Sequence, residues 1–181
     1  MSVTDPLSQL QKARSEFLTL VEGVRQDLHR YCARMTGSVA DGEDVVQETL
    51  ARAYYELSAL KEPPALRSWL FRIAHNRALD YLRRYDRRMG ESLDAASHQS
   101  AADDATDPDA LLAREQAVTT AVSRFVELVP TQRSCVILKD VLDYSLEEIS
   151  DLLDLSVMAV KAALHRGRWR LRVLCLRSQD A

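Results

Sequence analysis

Apolar side chains recur at three- and four-residue steps through most of this chain, and the places where the rhythm fails divide it. Between residues 13 and 35, Phe17, Val21, Val24, Leu28, Tyr31, Cys32 and Met35 form one stripe, as on a long amphipathic helix. The stretch TGSVADGED breaks it, with Gly37 placed to stop the helix and Asp41 placed to cap the next. Over residues 42–58, Val46, Leu50, Ala53 and Leu57 share one face, and Asp44, Gln47, Glu48, Ala51 and Tyr55 the opposite one. LKEPPALRS then interrupts with two prolines, which a helix interior does not accept. A third helix is expected from Trp69 to about Arg84. Trp69, Leu70, Ile73, Ala74 and Tyr81 cover its packed side, and Arg72, Asn76, Asp80, Arg83 and Arg87 line the other.

From Glu91 to about Asp109 the pattern collapses into ESLDAASHQSAADDATDPD, small, polar and acidic without period, which reads as a flexible linker. Helical periodicity returns near Ala110 and continues to Val129, where Pro130 punctuates it. TQRSCVILKDVLD follows as a helix with Cys135, Val136, Leu138, Val141 and Leu142 as its buried set. SLEEISDLL opens with Ser145 and carries Glu148 three residues later, a capping box. DLS makes a short turn, and Ser156 is the expected N-cap of the last helix, VMAVKAALHRGRWRLRVL. Helix, three-residue turn, helix with basic residues on the second is the helix-turn-helix signature. No strand candidate and no internal repeat survive. The expected architecture is all-α: two small helical domains, residues 10–90 and 113–177, joined by an acidic flexible linker over 91–112.

Composition agrees with helix and narrows the chemistry. Five glycines and five prolines in 181 residues disfavour a turn-rich β sandwich or barrel. Hydrophobic residues at 46% can fill a core, and charged residues at 28% keep the surface wet. The three cysteines, Cys32, Cys135 and Cys175, are far apart. His29 and Cys32 share an HxxC spacing with no second ligand pair, so neither a disulfide framework nor a zinc site is supported, and a reducing cytoplasm fits best. The N-terminus has no apolar leader core, and no run reaches about 18 apolar residues, so neither secretion by a signal peptide nor membrane insertion is expected. Ser-His-Asp order, glycine-rich phosphate loops and metal-spaced ligand sets are missing. Glu147–Glu148 opens a helix and Asp103–Asp104 lies in the linker. The expectation is a protein that is not an enzyme and uses no cofactor and no metal.

Charge changes the picture most. The formal net charge is −3, but its distribution is uneven. Residues 66–89 hold seven arginines against two aspartates, net +5. Residues 91–115 hold seven acids against Arg114, net −6. Residues 156–178 hold Lys161, Arg166, Arg168, Arg170, Arg172 and Arg177 with no acid. Two basic blocks around an acidic spacer are the usual electrostatic footprint of nucleic-acid binding. Arginines neutralise phosphates, an amide such as Asn76 can read a base edge, and aromatics can stack on unpaired bases.

The segments DVVQETLARAYYEL and SWLFRIAHNRALDYLRR, the acidic linker, and SLEEISDLLDLSVMAVKAALHRGRWRL together resemble a bacterial RNA polymerase sigma factor of the sigma-70 family, in its extracytoplasmic-function (ECF) branch. The resemblance covers roughly residues 14–177. It implies a promoter-specificity subunit that binds core RNA polymerase, through the β′ clamp and the β subunit, and promoter DNA. Asp44, Gln47, Glu48 and Tyr55 would touch the polymerase, and an acidic ridge beside Tyr55 and an exposed Val45 suits a basic, partly apolar groove. The loop matching Ser58–Arg67 and the helix after it would capture the melted −10 strand, with Lys61, Arg67, Trp69, Arg72, Asn76, Asp80, Arg83 and Arg84 as contacts; only an unpaired base exposes its full Watson–Crick edge. Ser156, Lys161, Ala162, His165, Arg166 and Arg168 would address the −35 element as duplex.

The chain departs from the family pattern in two places. The −10 loop reads ALKEPPAL, with Leu60 and Pro63–Pro64 where many members carry phenylalanine and glycine. Met158–Ala159 and Ala162–Ala163 stand where Gly-Thr and Ser-Arg are common, so apolar contact and DNA shape replace polar readers. The linker is either a solvated tether or a mimic of RNA near the polymerase exit path. The resemblance also implies a cognate anti-sigma factor. The competing reading is a stand-alone helix-turn-helix transcriptional regulator, which gives no reason for DVVQET or for the basic ridge from Trp69 to Arg88.

Overall fold

In the computed structural model, residues 6–57, 65–91 and 108–177 are described, and all of their regular structure is helical. Helix α1 spans Pro6–Thr36, and its expected stripe, Phe17 to Met35, is buried throughout. It stops at Gly37, whose φ of +82° suits a residue without Cβ and whose N–H returns to the Ala33 carbonyl at 2.8 Å.

Helix α2, Val39–Leu57, starts earlier than expected. Ser38 caps it: its Oγ accepts the Asp41 N–H at 3.2 Å. Asp41 therefore sits inside the first turn, where its carboxylate accepts the Tyr81 hydroxyl from the third helix. The two helices cross closely at Gly42, where a Cβ would lie 2.5 Å from the Ala33 backbone. That approach widens the buried arc of α2 to Val45, Val46, Thr49 and Ala53. Val45, expected to be exposed, is thus only 2% exposed. Thr49 satisfies its buried hydroxyl on the Val45 carbonyl at 2.7 Å.

Helix α3 spans Leu66–Glu91, past the expected stop near Arg84. Arginine is a good helix former, and in this tail Arg84 and Arg87 donate back to the carbonyls of Asp80 and Arg83. Leu70, Phe71, Ala74 and Ala78 form its buried side.

In the C-terminal unit, α4 spans Pro108–Ser123. It starts inside the stretch assigned to the linker, of which residues 92–107 lie outside the described residues. The helix expected to reach Val129 instead ends in a 3-10 turn, Arg124–Glu127. Helix α5, Pro130–Val136, has proline at its first position, where no N–H is needed. It runs into a π turn over Ile137–Val141, in which the Leu142 N–H reaches back five residues to Ile137 at 3.1 Å. Cys135, Val136 and Leu138 are buried as expected, whereas Val141 and Leu142, past the widened turn, are only partly so. Helix α6, Leu146–Leu153, forms both bonds of the capping box between Ser145 and Glu148. Helix α7, Val157–Arg177, has Ser156 as its cap, accepting the Ala159 N–H at 3.1 Å.

The units are packed together. Helix α1 lies against α5 and α3 against α6, and buried side chains of both merge into one cluster. Each fully buried residue the size of leucine or phenylalanine contributes about 1.5–3 kcal/mol. Polar groups cross the contact too. Arg133, 4% exposed, carries its guanidinium to the Met35 carbonyl at the end of α1 while also donating to Val126 and Leu128 within its own unit. A helix C-terminus is a favourable place for a cation.

Candidate functional site

Three charged surfaces project from this frame. The first is the outer face of α2. Asp44, Gln47 and Glu48 are exposed, and Tyr55 is 77% exposed beside them. Gln47 donates to Glu43 at 3.4 Å, and Glu43 also pairs with Arg25 from α1. The result is a rim of carboxylates held by short-range bonds, with an aromatic at one end.

The second surface is the ridge on α3. Arg72, Asn76, Asp80, Arg83 and Arg87 are exposed on one stripe, and Trp69 is half-buried at its edge. Asp80 pairs with Arg83 at 3.3 Å. Arg84 lies 3.8 Å from Glu48, so the acidic face of α2 and the basic ridge of α3 adjoin. Lys61, Leu60 and Pro63–Pro64 lie outside the described residues.

Two arginines of α3 are engaged by the C-terminal unit. Arg67 donates to the Tyr144 hydroxyl and to Asp27, each at 2.9 Å, with its guanidinium 5.1 and 5.6 Å from the ring centres of Tyr144 and Phe71. Partial burial pulls its pKa down, but Tyr144 and Asp27 outweigh that and raise it, so the charge is locked in. Arg72 donates to the Asp151 carbonyl on α6 at 3.1 Å. Neither Tyr144 nor Arg133 carried any local sequence signal for these roles.

Below them, the Tyr31 hydroxyl lies 2.7 Å from His75 Nδ1 and 3.2 Å from Ser134 Oγ. Ser134 Oγ is 3.3 Å from both His75 Nδ1 and the Met35 sulfur. Burial holds His75 down to about 4 and drives Tyr31 well up, so both are neutral at pH 7.

The third surface is on α7. Lys161, His165 and Arg168 line one concavity with Lys139, Trp169 and Arg172. Ala162 is half-buried, and Arg166 is exposed but outside that concavity, because it stands a further 100° or so round the helix from His165. Ser156 uses its hydroxyl to cap α7. Arg168 is clamped by Asp140 with two bonds, at 2.9 and 2.5 Å, and its hydrogen bonds to that carboxylate raise its pKa. Arg170 lies 3.9 Å from Glu127. Trp169, 58% exposed, was not among the expected contacts, although its place four residues after His165 puts it on the same face.

Among the described residues no three His, Cys, Asp or Glu side chains converge where a metal could sit. Burial raises Cys32 to about 12 and Cys135 to about 11, so neither is a ready thiolate at neutral pH. No described helix is long and apolar enough to cross a membrane.

Known proteins share this plan. Residues 20–88 match the family model of sigma-70 region 2, and residues 125–171 match that of sigma-70 region 4. The ECF RNA polymerase sigma factor SigG of Mycobacterium tuberculosis is 33% identical over 89% of this chain, and the chain spans about half of that relative, 49% of its length. The ECF RNA polymerase sigma-E factor of Salmonella typhimurium is 30% identical over 77% of this chain and 78% of its own. In fold, the chain is similar to RpoE of Bartonella quintana, solved in complex with the anti-sigma factor NepR: TM-score 0.67 and 21% identity, covering 88% of this chain and 96% of that one. Two family matches that together cover most of the chain, and relatives at 30–33% identity, agree: the chain belongs to the sigma-70 family of RNA polymerase sigma factors, in the ECF group.

Proposed function

We propose that this chain binds core RNA polymerase and directs initiation at specific promoters, with no catalysis of its own, in the bacterial cytoplasm. One observation carries the reading: a single frame presents an acidic, tyrosine-ended face on α2, a basic ridge on α3 and a basic recognition helix, α7, as three separate surfaces. The α2 face, through Asp44, Gln47, Glu48 and Tyr55, meets the polymerase β′ clamp, and the C-terminal unit approaches the β subunit. The ridge, with Trp69, Arg72, Asn76, Arg83 and Arg84, holds the melted −10 strand, where cations take phosphates and Asn76 takes a base edge. Helix α7 enters the −35 major groove with Met158, Lys161, Ala162 and His165 nearest the bases.

The working division is residues 10–90 for polymerase and −10 binding and 113–177 for −35 binding, joined by an acidic spacer. The solved relative's pairing with NepR supports an anti-sigma factor as a further partner of this chain. The test is initiation in vitro on genomic fragments by core polymerase with and without the chain. Defined new start sites are expected. Sequence-specific duplex binding without core-dependent starts would instead mark a stand-alone regulator.

A further inference from the structure

Trp169 is 58% exposed on α7, in a setting that the contacts proposed above leave unused. It lines a concavity of about 620 Å³ on the C-terminal unit. Leu164, 4% exposed, and the half-buried Leu146 give that concavity an apolar part. Lys139, Lys161, Arg168 and Arg172 give it positive charge, against one carboxylate in the lining, Glu147. Lys139 is steadied from below, its Nζ donating to the Tyr144 carbonyl at 3.0 Å. The concavity is open while the two units are packed, since Lys161, Trp169 and Arg172 are all exposed.

An aromatic face bordered by cations suits a strand of nucleic acid. A deoxyribose packs on the ring, the indole N–H can donate to a phosphate, and the cations take the phosphates on either side. Spacing decides which part of the DNA it meets. Trp169 stands eleven residues after Met158 in α7, about 16 Å of helix rise. The major groove is about 12 Å wide. With the first turns of α7 at the base edges, Trp169 is carried past the groove floor to its wall, which is sugar and phosphate. The concavity also continues the face of α7 that bears Lys161 and His165, which favours duplex DNA over an acidic peptide as its occupant.

We propose that Trp169, with Lys139 and Arg172, seats the backbone of one strand of duplex DNA beside the −35 groove. The indole is an anchor that fixes how α7 lies in the groove and reads no base. This inference rests on the proposed role of α7. Its signature is a loss of affinity that is the same for every DNA sequence.

The test uses the full chain and fluorescence anisotropy with two labelled duplexes of equal length. One has a randomised sequence, and the other carries the −35 region of a promoter mapped by initiation in vitro. Trp169→Ala is expected to weaken binding to both by about fivefold, the effect of about 40 Å² of lost apolar contact, and to leave the preference between them unchanged. Its log–log salt slope should match that of wild type, because no charge is lost, whereas Arg172→Ala should lower the slope by about one. Trp169→Phe, which keeps a ring, should recover most of the loss. A loss confined to the −35 duplex would make Trp169 a base reader and overturns the proposal. Wild-type affinity of Trp169→Ala for both duplexes overturns it too, and leaves the concavity to an acidic peptide. So does a phenylalanine variant as weak as the alanine one, or the absence of measurable duplex binding by wild type. Failure of the proposed function has a different signature: wild type gives no core-dependent starts, while the randomised duplex still reports on Trp169.

Discussion

Arg67 donates from Nε to the hydroxyl of Tyr144, 77 positions away in sequence and 2.9 Å away in space. The bond ties α3 to the turn that opens the helix-turn-helix, and a Tyr31–Phe71–Tyr144 run of edge-packed rings backs it, with centres 5.6 and 5.4 Å apart. Losing the hydroxyl and losing the ring should therefore have different costs. Tyr144→Phe is expected to lower stability by about 1 kcal/mol, because Arg67 stays half-exposed and water replaces its partner. Tyr144→Ala should cost about 3–5 kcal/mol by emptying a packed site. Urea unfolding of the two variants separates these values.

The α1–α2 hairpin depends on a close approach rather than on a charge. At Gly42 a Cβ would lie 2.5 Å from the Ala33 backbone, which cannot swing aside as a side chain can. Gly42→Ala should lose about 1–3 kcal/mol or more in chemical denaturation despite alanine's better helix propensity. Gly23, with open space around it, serves as the control, and Gly23→Ala should stabilise slightly.

His75 makes stability depend on pH. Its folded pKa, about 4, lies below the unfolded value near 6.5, so between these limits the unfolded chain binds more protons. Its contribution is complete above pH 6.5 and is lost as pH falls toward 4, by up to about 3 kcal/mol. The groups facing it are the neutral Tyr31 on α1 and Ser134 on α5, neither of which titrates in that window. Carboxylates add their own loss below about pH 5, so the difference between wild type and His75→Gln isolates the histidine. Thermal melts across pH 4 to 7 should give a shallower slope for the variant.

Asp140 restrains a cation on the recognition helix. Its two bonds to Arg168 neutralise a charge that the proposed function would set against phosphates. Asp140→Ala is expected to tighten binding of the −35 duplex at low salt and to steepen the log–log salt dependence by about one counterion. An unchanged slope would mean that Arg168 stays away from DNA even when released.

What could be foreseen along the chain followed the range of the interactions involved. The stripe from Phe17 to Met35, the capping box of Ser145 and Glu148 and the cap at Ser156 depend on residues a few places apart, and each is present. Local spacing also put Asp44, Gln47 and Glu48 on one exposed face and Arg72, Asn76 and Asp80 on another. Val45 was misplaced because its burial depends on how closely α2 crosses α1 at Gly42, a tertiary distance with no period in the sequence. Asp41 was displaced as a cap by Ser38, an equally good capping residue three places earlier. The bonds Arg67–Tyr144, Arg133–Met35 and Tyr31–Ser134 join residues 77, 98 and 103 positions apart, and nothing in either local segment points to the other.

The most direct measurement compares two variants for core polymerase affinity and promoter-specific initiation side by side. Asp44→Arg/Glu48→Arg reverses charge on the α2 face, and Asn76→Ala removes an amide from the α3 ridge. The predicted result is a split. The first variant loses polymerase binding by more than about tenfold and loses initiation with it, since opposed charges across an interface cost several kcal/mol. The second binds polymerase like wild type but initiates poorly on duplex promoters. If the charge reversal leaves polymerase affinity intact, or if both variants lose it alike, the assignment of separate polymerase and DNA faces to α2 and α3 is contradicted.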